Sequence, residues 1–150
     1  MPSRVPALID ALVAAATADS GLAGVRIADG PEVTEDAALE WLIIGFDGDP
    51  DGDFEAARTV GGWSDLSTGR EEAFEITIAA IVSRGDTDVR AARVRVYEIA
   101  ARLEALLRAD PSVGLPSLEC GIEATRLQPD QTDKGIQARL LLTVAGRAFI

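Results

Sequence analysis

The chain has 150 residues, 47% of them hydrophobic and 26% charged, with a formal net charge of −11. That length suits a single domain, residues 1–150, with its own core, and the balance excludes wholesale disorder. So acidic a surface repels the phosphate backbone and argues against direct, sequence-specific nucleic-acid binding.

No apolar run approaches the roughly 20 residues that span a bilayer, so no membrane partner is expected. The N-terminus has the outline of a signal peptide: one arginine, an apolar stretch and small residues. However, Asp10 interrupts the stretch and its apolar residues recur at helical spacing, so it is read as the first helix of the mature domain, made in the cytoplasm. Val5, Leu8, Ile9, Leu12, Val13 and Ala16 form one stripe and predict a helix over 3–17. Ser3 and Pro6 mark its start and Ser20-Gly21 its stop.

A short strand over 24–28 and a turn at Asp29-Gly30-Pro31 come next. Residues 39–46, LEWLIIGF, are apolar on both faces near their end, the pattern of a central strand with Trp41 in the core. Residues 47–70 are rich in glycine and aspartate, too polar for core and long for a connection. They are expected to form an extended functional loop or a hairpin arm. Residues 72–83 alternate cleanly, with Phe74, Ile76, Ile78, Ala80 and Val82 on one face.

Arg84-Gly85-Asp86 turns the chain into its longest helix, residues 88–108, with Asp86 or Thr87 as N-cap. Its stripe is Val89, Ala92, Val96, Ile99, Ala100, Leu103, Leu106 and Leu107. Glu98/Arg102 and Glu104/Arg108 stand at the favourable i, i+4 spacing. After Asp110-Pro111, residues 118–127 and 135–145 read as a hairpin closed by QPDQTDKG. Inward candidates are Leu118, Cys120, Ile122 and Ala124, facing Ile136, Ala138, Leu140, Leu142 and Val144. The order predicts an α+β fold: a mostly antiparallel sheet of four to five strands with two helices on one face.

Chemistry is sparse. There is no histidine, so the commonest general base and metal ligand is missing, and the one cysteine, Cys120, excludes an internal disulfide. No phosphate-binding loop, GxSxG elbow or CxxC occurs, and Glu71-Glu72 point to opposite strand faces as a solvated strand entry. No enzyme and no cofactor are expected. Asp47, Asp49, Asp51, Asp53 and Glu55 match the opening of an EF-hand calcium loop. Arg58 stands where the bidentate glutamate belongs, the preceding segment is a strand, and Pro50 stiffens the ligand arc, so these are weak metal candidates beside the reading of an acidic loop. Trp63, between glycines and serine, is either a partner anchor or folded over the sheet edge. The long-helix arginines, Arg90 and Arg93 among them, form either an intersubunit salt-bridge face or a solvated one.

DVRAARVRVYEIAARLEALLRADPSVGLP, the ending RLQPDQTDKGIQARLLLTVAGRAFI, GGWSDLSTGREEAFEITIAAIVSRGD and IADGPEVTED together resemble the tail terminator proteins of long-tailed (siphovirus-type) actinobacterial phages or prophages. The acidic DGDPDGD expansion and Lys134 depart from that pattern. The resemblance implies a structural virion protein, made in the host cytoplasm and located in the tail. Its subunits form a homo-oligomeric ring, hexameric in that family, that caps the tail tube. The ring ends tube polymerisation and joins the tail to the head connector, so the implied partners are the chain itself, the tail tube protein and the connector protein. Candidate interface residues are Trp63, Arg70, Arg90, Arg93, Gln131, Asp133 and Lys134, with the 47–70 loop and the 128–135 tip as arms. Two alternatives stay open: another head–tail junction or tail tube component, and a calcium-responsive binding module.

Overall fold

In the computed structural model, residues 3–31, 38–49, 55–65, 69–132 and 135–149 are described. The elements are α1 (Val5–Ala18), a 3-10 turn (Ser20–Leu22), β1 (Arg26–Asp29), β2 (Glu40–Ile44), β3 (Ala57–Asp65), β4 (Gly69–Arg84), α2 (Val89–Ala109), β5 (Leu118–Thr132) and β6 (Gly135–Phe149). They build an α+β fold around one six-stranded sheet in the order β1-β2-β4-β6-β5, with β3 added to β4. All pairings are antiparallel except β1 with β2.

β4 organises the sheet. One of its edges pairs with β6 along nearly its whole length. Its other edge is shared end to end, by β2 through residues 78–82 and by β3 through 69–76. The sheet therefore has six strands where four to five were expected, and much of the 47–70 segment is the hairpin arm, not a loop. ARTVGGWSD carries no alternation, yet it pairs because β4 extends past β2 and leaves a ladder edge that would otherwise be unsatisfied.

Both helices cover one face. Val5, Leu8, Leu12 and Ala16 of α1 join Ala92, Val96, Ile99 and Leu103 of α2 over Ile76, Ile78, Leu140 and Leu142. Asp88, not Asp86 or Thr87, caps α2, accepting from Ala91 N–H at 3.0 Å. Val89 is exposed and leaves the expected stripe. Glu104 pairs with Arg108 at 2.9 Å, but Arg102 turns away from Glu98 to grip Asp19 at the end of α1 at 2.7 Å. Glu98 takes Arg95 instead, and Arg95 also forks onto Glu40 of β2 at 2.6 and 3.1 Å. Packing two helices side by side thus overrode the local pairing.

Two further expectations are corrected. Glu72 is 4% exposed, not solvated, and accepts from Arg4 N–H at 3.0 Å. In β5 an irregularity between Ile122 and Ala124 shifts the alternation, so Ala124 is exposed and Leu127 takes over packing on the helix side.

The face opposite the helices has a second, smaller cluster: Ala28, Ile43, Phe46, Ala79 and Ile81, with Trp41 and Leu141 against it. The chain leaving β2 makes it. Gly45 (φ +82°) donates to Thr77 O at 2.7 Å, Phe46 turns in, and Gly48 (φ +82°) lies over Ile81 and Arg139. Half of the helix-free face is roofed in this way by residues 46–49.

Candidate interaction surfaces

The unroofed half of that face is a groove of about 850 Å³. Register fixes its floor. One row across the strands reads Arg58, Glu75, Ala145, Gly121, and the next reads Val60, Ala73, Arg147, Glu119. The centre is small side chains, and a Cβ added at Gly121 would meet nothing within 4 Å. Around it stand Glu71, Glu75, Glu119 and Glu123 against Arg58 and Arg147, a net charge of −2 by formal count. Arg147 is held by Glu119 at 2.9 Å and Glu71 at 3.8 Å. Glu75, Glu123 and Arg58 form no ion pair among the described residues. Val60, 59% exposed, adds an apolar lip.

A second surface lies across the molecule on the outer side of α2. Arg90, Arg93, Val94, Tyr97 and Ala101 share one exposed strip at helical spacing. Arg90 and Arg93 make no ion pair among the described residues, and Tyr97 is 44% exposed. Arg90 and Arg93 were candidates from the sequence; Val94 and Tyr97 were missed. Their signal was there, since both are apolar-bodied residues that fall off the buried stripe.

The other sequence candidates scatter. Trp63 stands in β3 opposite Arg70 of β4. The Arg70 guanidinium fills the space a side chain at Gly61 would need. Gln131 is exposed near the end of β5, opposite Ile136. Asp133 and Lys134 lie outside the described residues, as do Asp51 and Asp53. Of the 128–135 tip, residues 128–132 pair with β6, which continues along β4 to Arg84, and the following Ile136 N–H donates to Asp86 O at 3.0 Å.

Asp47 accepts from Asp49 N–H at 2.9 Å, closing a turn on its own loop. Glu55 is exposed, and among the described residues no group of three or more acidic, cysteine or histidine side chains is placed to hold a metal ion. Cys120 is buried behind the groove, and burial, reinforced by the negative charge of Asp110, pushes its thiol up to about 11. Such a thiol stays protonated and is a poor nucleophile at neutral pH.

No family model matches the chain, and no curated protein matches it. Among solved structures, all of this chain aligns with all of a chain from a particle described as "Virion of native gene transfer agent (GTA) particle", with a TM-score of 0.69 at 17% sequence identity. The helix-covered sheet, with its long central strand and closing hairpin, is therefore a fold that this chain shares with a component of that virion.

Proposed function

We propose that the chain is a structural virion protein of a phage-like particle, and within that class a tail terminator. Its subunits would close into a ring, capping the tail tube, stopping its growth and presenting a surface to the head connector. The observation that carries the reading is the end-to-end match to a virion chain, with neither chain left over. A partial match would be expected if only a common sheet motif were shared. The ordered likeness of the sequence to phage tail terminators supports the finer role. So does the placement of polar, charged surfaces on both sides of a closed core. Closed rotation of a heterologous contact yields a finite ring, whereas an open rotation yields a filament. A channel lined by acidic side chains would let DNA pass without adhering.

Electron microscopy of the purified protein, alone and with assembling tail tube protein, tests the role. A terminator gives closed rings at tube ends and shortens the tubes. Long stacks of the protein itself would instead identify a tube component, and failure to associate with tubes or connectors would remove the tail assignment. Calorimetric titration with calcium tests the remaining alternative. Sub-micromolar binding coupled to a change in oligomeric state would favour a calcium-responsive module over the terminator reading.

A further inference from the structure

The two surfaces described above are complementary, and they lie on opposite sides of the same sheet. The groove has an acidic rim, two carboxylates (Glu75 and Glu123) with no ion pair among the described residues, and a floor of Ala73, Ala145 and Gly121. The α2 strip has two guanidinium groups (Arg90 and Arg93) with no ion pair among the described residues, beside the exposed ring of Tyr97. We infer that α2 of one copy seats in the helix-free groove of the next copy, placing Tyr97 over Gly121 and Ala145 and the two arginines on Glu75 and Glu123.

Size and chemistry agree. The groove crosses four strands, whose spacing of about 4.8 Å makes a floor about 14 Å wide. One α-helix, about 10 Å across with its side chains, fits that width. Tyrosine and arginine are the residue types that anchor interfaces, and a floor without bulky side chains leaves room for a ring. Arginine presents a planar fork that suits a carboxylate. The roof of residues 46–49 covers the other half of the face, which confines an incoming helix to the open half. Because donor and acceptor surfaces are on opposite faces, one chain cannot satisfy both itself, and the contact is head to tail. The inference rests on the reading of the chain as a ring subunit, and adds which surfaces meet in the ring.

A cysteine pair tests it, with Tyr97→Cys and Gly121→Cys in one chain. The two positions are separated by the sheet, so a disulfide between them can form only between copies. Mild oxidation with oxidised glutathione should give a ladder of dimers and larger species that collapses on reduction, whereas each single variant gives none of it. Charge reversal gives the second arm. Arg90→Glu/Arg93→Glu and Glu75→Arg/Glu123→Arg, each checked for a native circular dichroism spectrum, should each weaken self-association by about tenfold or more. Mixing the two reversed variants restores both an inverted contact, reversed helix on reversed groove, and the original one, native helix on native groove, so alternating assembly should recover the higher species that neither variant forms alone. Combining all four changes in one chain should restore higher species. If wild-type rings form but the cysteine pair gives no ladder and both reversed variants assemble normally, the contact is wrong while the ring reading stands. If neither rings nor cross-links form, with or without tail tube, both fall.

Discussion

The three consecutive leucines of β6 offer a test of how the two faces of the sheet divide the stability. Leu140 and Leu142 are 0% and 1% exposed beneath the helices, whereas Leu141 points to the helix-free side and is only partly buried. Truncating any of them to alanine removes three carbons, worth about 0.8 kcal/mol each when fully buried, or about 2.4 kcal/mol. Under the helices a cavity term adds to this, because α2 is held by Arg95–Glu40 and by the Arg102–Asp19 clasp and cannot settle into the void. The expected cost for Leu140→Ala and Leu142→Ala is therefore about 3–4 kcal/mol each. At Leu141 only part of the side chain leaves water on folding, and a cavity there opens towards solvent, so about 1–2 kcal/mol is expected. Urea unfolding monitored by circular dichroism reads the difference, as a lowered midpoint at constant slope. A Leu141→Ala cost equal to or above that of Leu142→Ala would refute the assignment of the main core to the helix-covered face.

Three shorter predictions follow from other parts of the structure. Gly48→Ala should cost about 1–2 kcal/mol for a left-handed backbone alone. Its Cβ would also stand 2.9 Å from Ile81 Cδ1 and 3.0 Å from Arg139 Cδ, so a neutral urea midpoint would mean that residues 46–49 do not roof the sheet. Asp86, hydrogen-bonded by the Arg84 guanidinium and by Asp88 N–H, is lowered from 3.8 to about 2. Because the folded value is depressed, its contribution is complete above about pH 4 and is lost as pH falls through about 2; Asp86→Asn should flatten the acid limb of the stability curve there. Cys120 has a folded value near 11 against an ordinary 9.0, so stability should fall as pH climbs through that interval, where the unfolded chain releases the proton first. At pH 8 its thiol should react with an aromatic disulfide only after unfolding, and rapid reaction of the native protein would contradict its burial.

The helices and the inward residues of β4 and β6 were legible because a buried face must be apolar at a fixed period. Val96, Ile99 and Leu103 recur at the helical period, and Ile76, Ile78, Leu140 and Leu142 at the strand period, so the pattern survives without knowledge of what covers it. Three things were not legible, each for a physical reason. β3 has no pattern of its own, because its pairing comes from the unfilled edge of β4, a non-local cause. The irregularity beside Glu123 reverses the phase of β5 through one extra residue, and no residue type announces it, so Ala124 was placed inward when it faces out. Arg102 chose Asp19 over Glu98 because the end of α1 arrives beside it, and a local i, i+4 rule cannot see a partner 83 residues away. The groove was invisible for the same kind of reason. Glu71, Glu75, Glu119 and Glu123 are ordinary strand glutamates until the β4–β6–β5 register brings them around one patch.

That register also has a consequence for how such a chain can evolve. The main core is completed by residues on one face, and the second cluster is completed by the chain's own loop over half of the other. Glu75, Glu123, Arg90, Arg93 and Tyr97 are all exposed and complete neither cluster. Substitutions at such positions usually change stability by no more than about 0.5 kcal/mol. In the proposed ring, contact specificity could therefore drift between neighbouring copies without approaching the stability threshold of the fold. Paired changes that reverse charge on both surfaces cost the monomer little while excluding the parental partner. A chain at 17% identity to its structural counterpart can in this way keep the whole fold while the surfaces that would join copies in the proposed ring diverge.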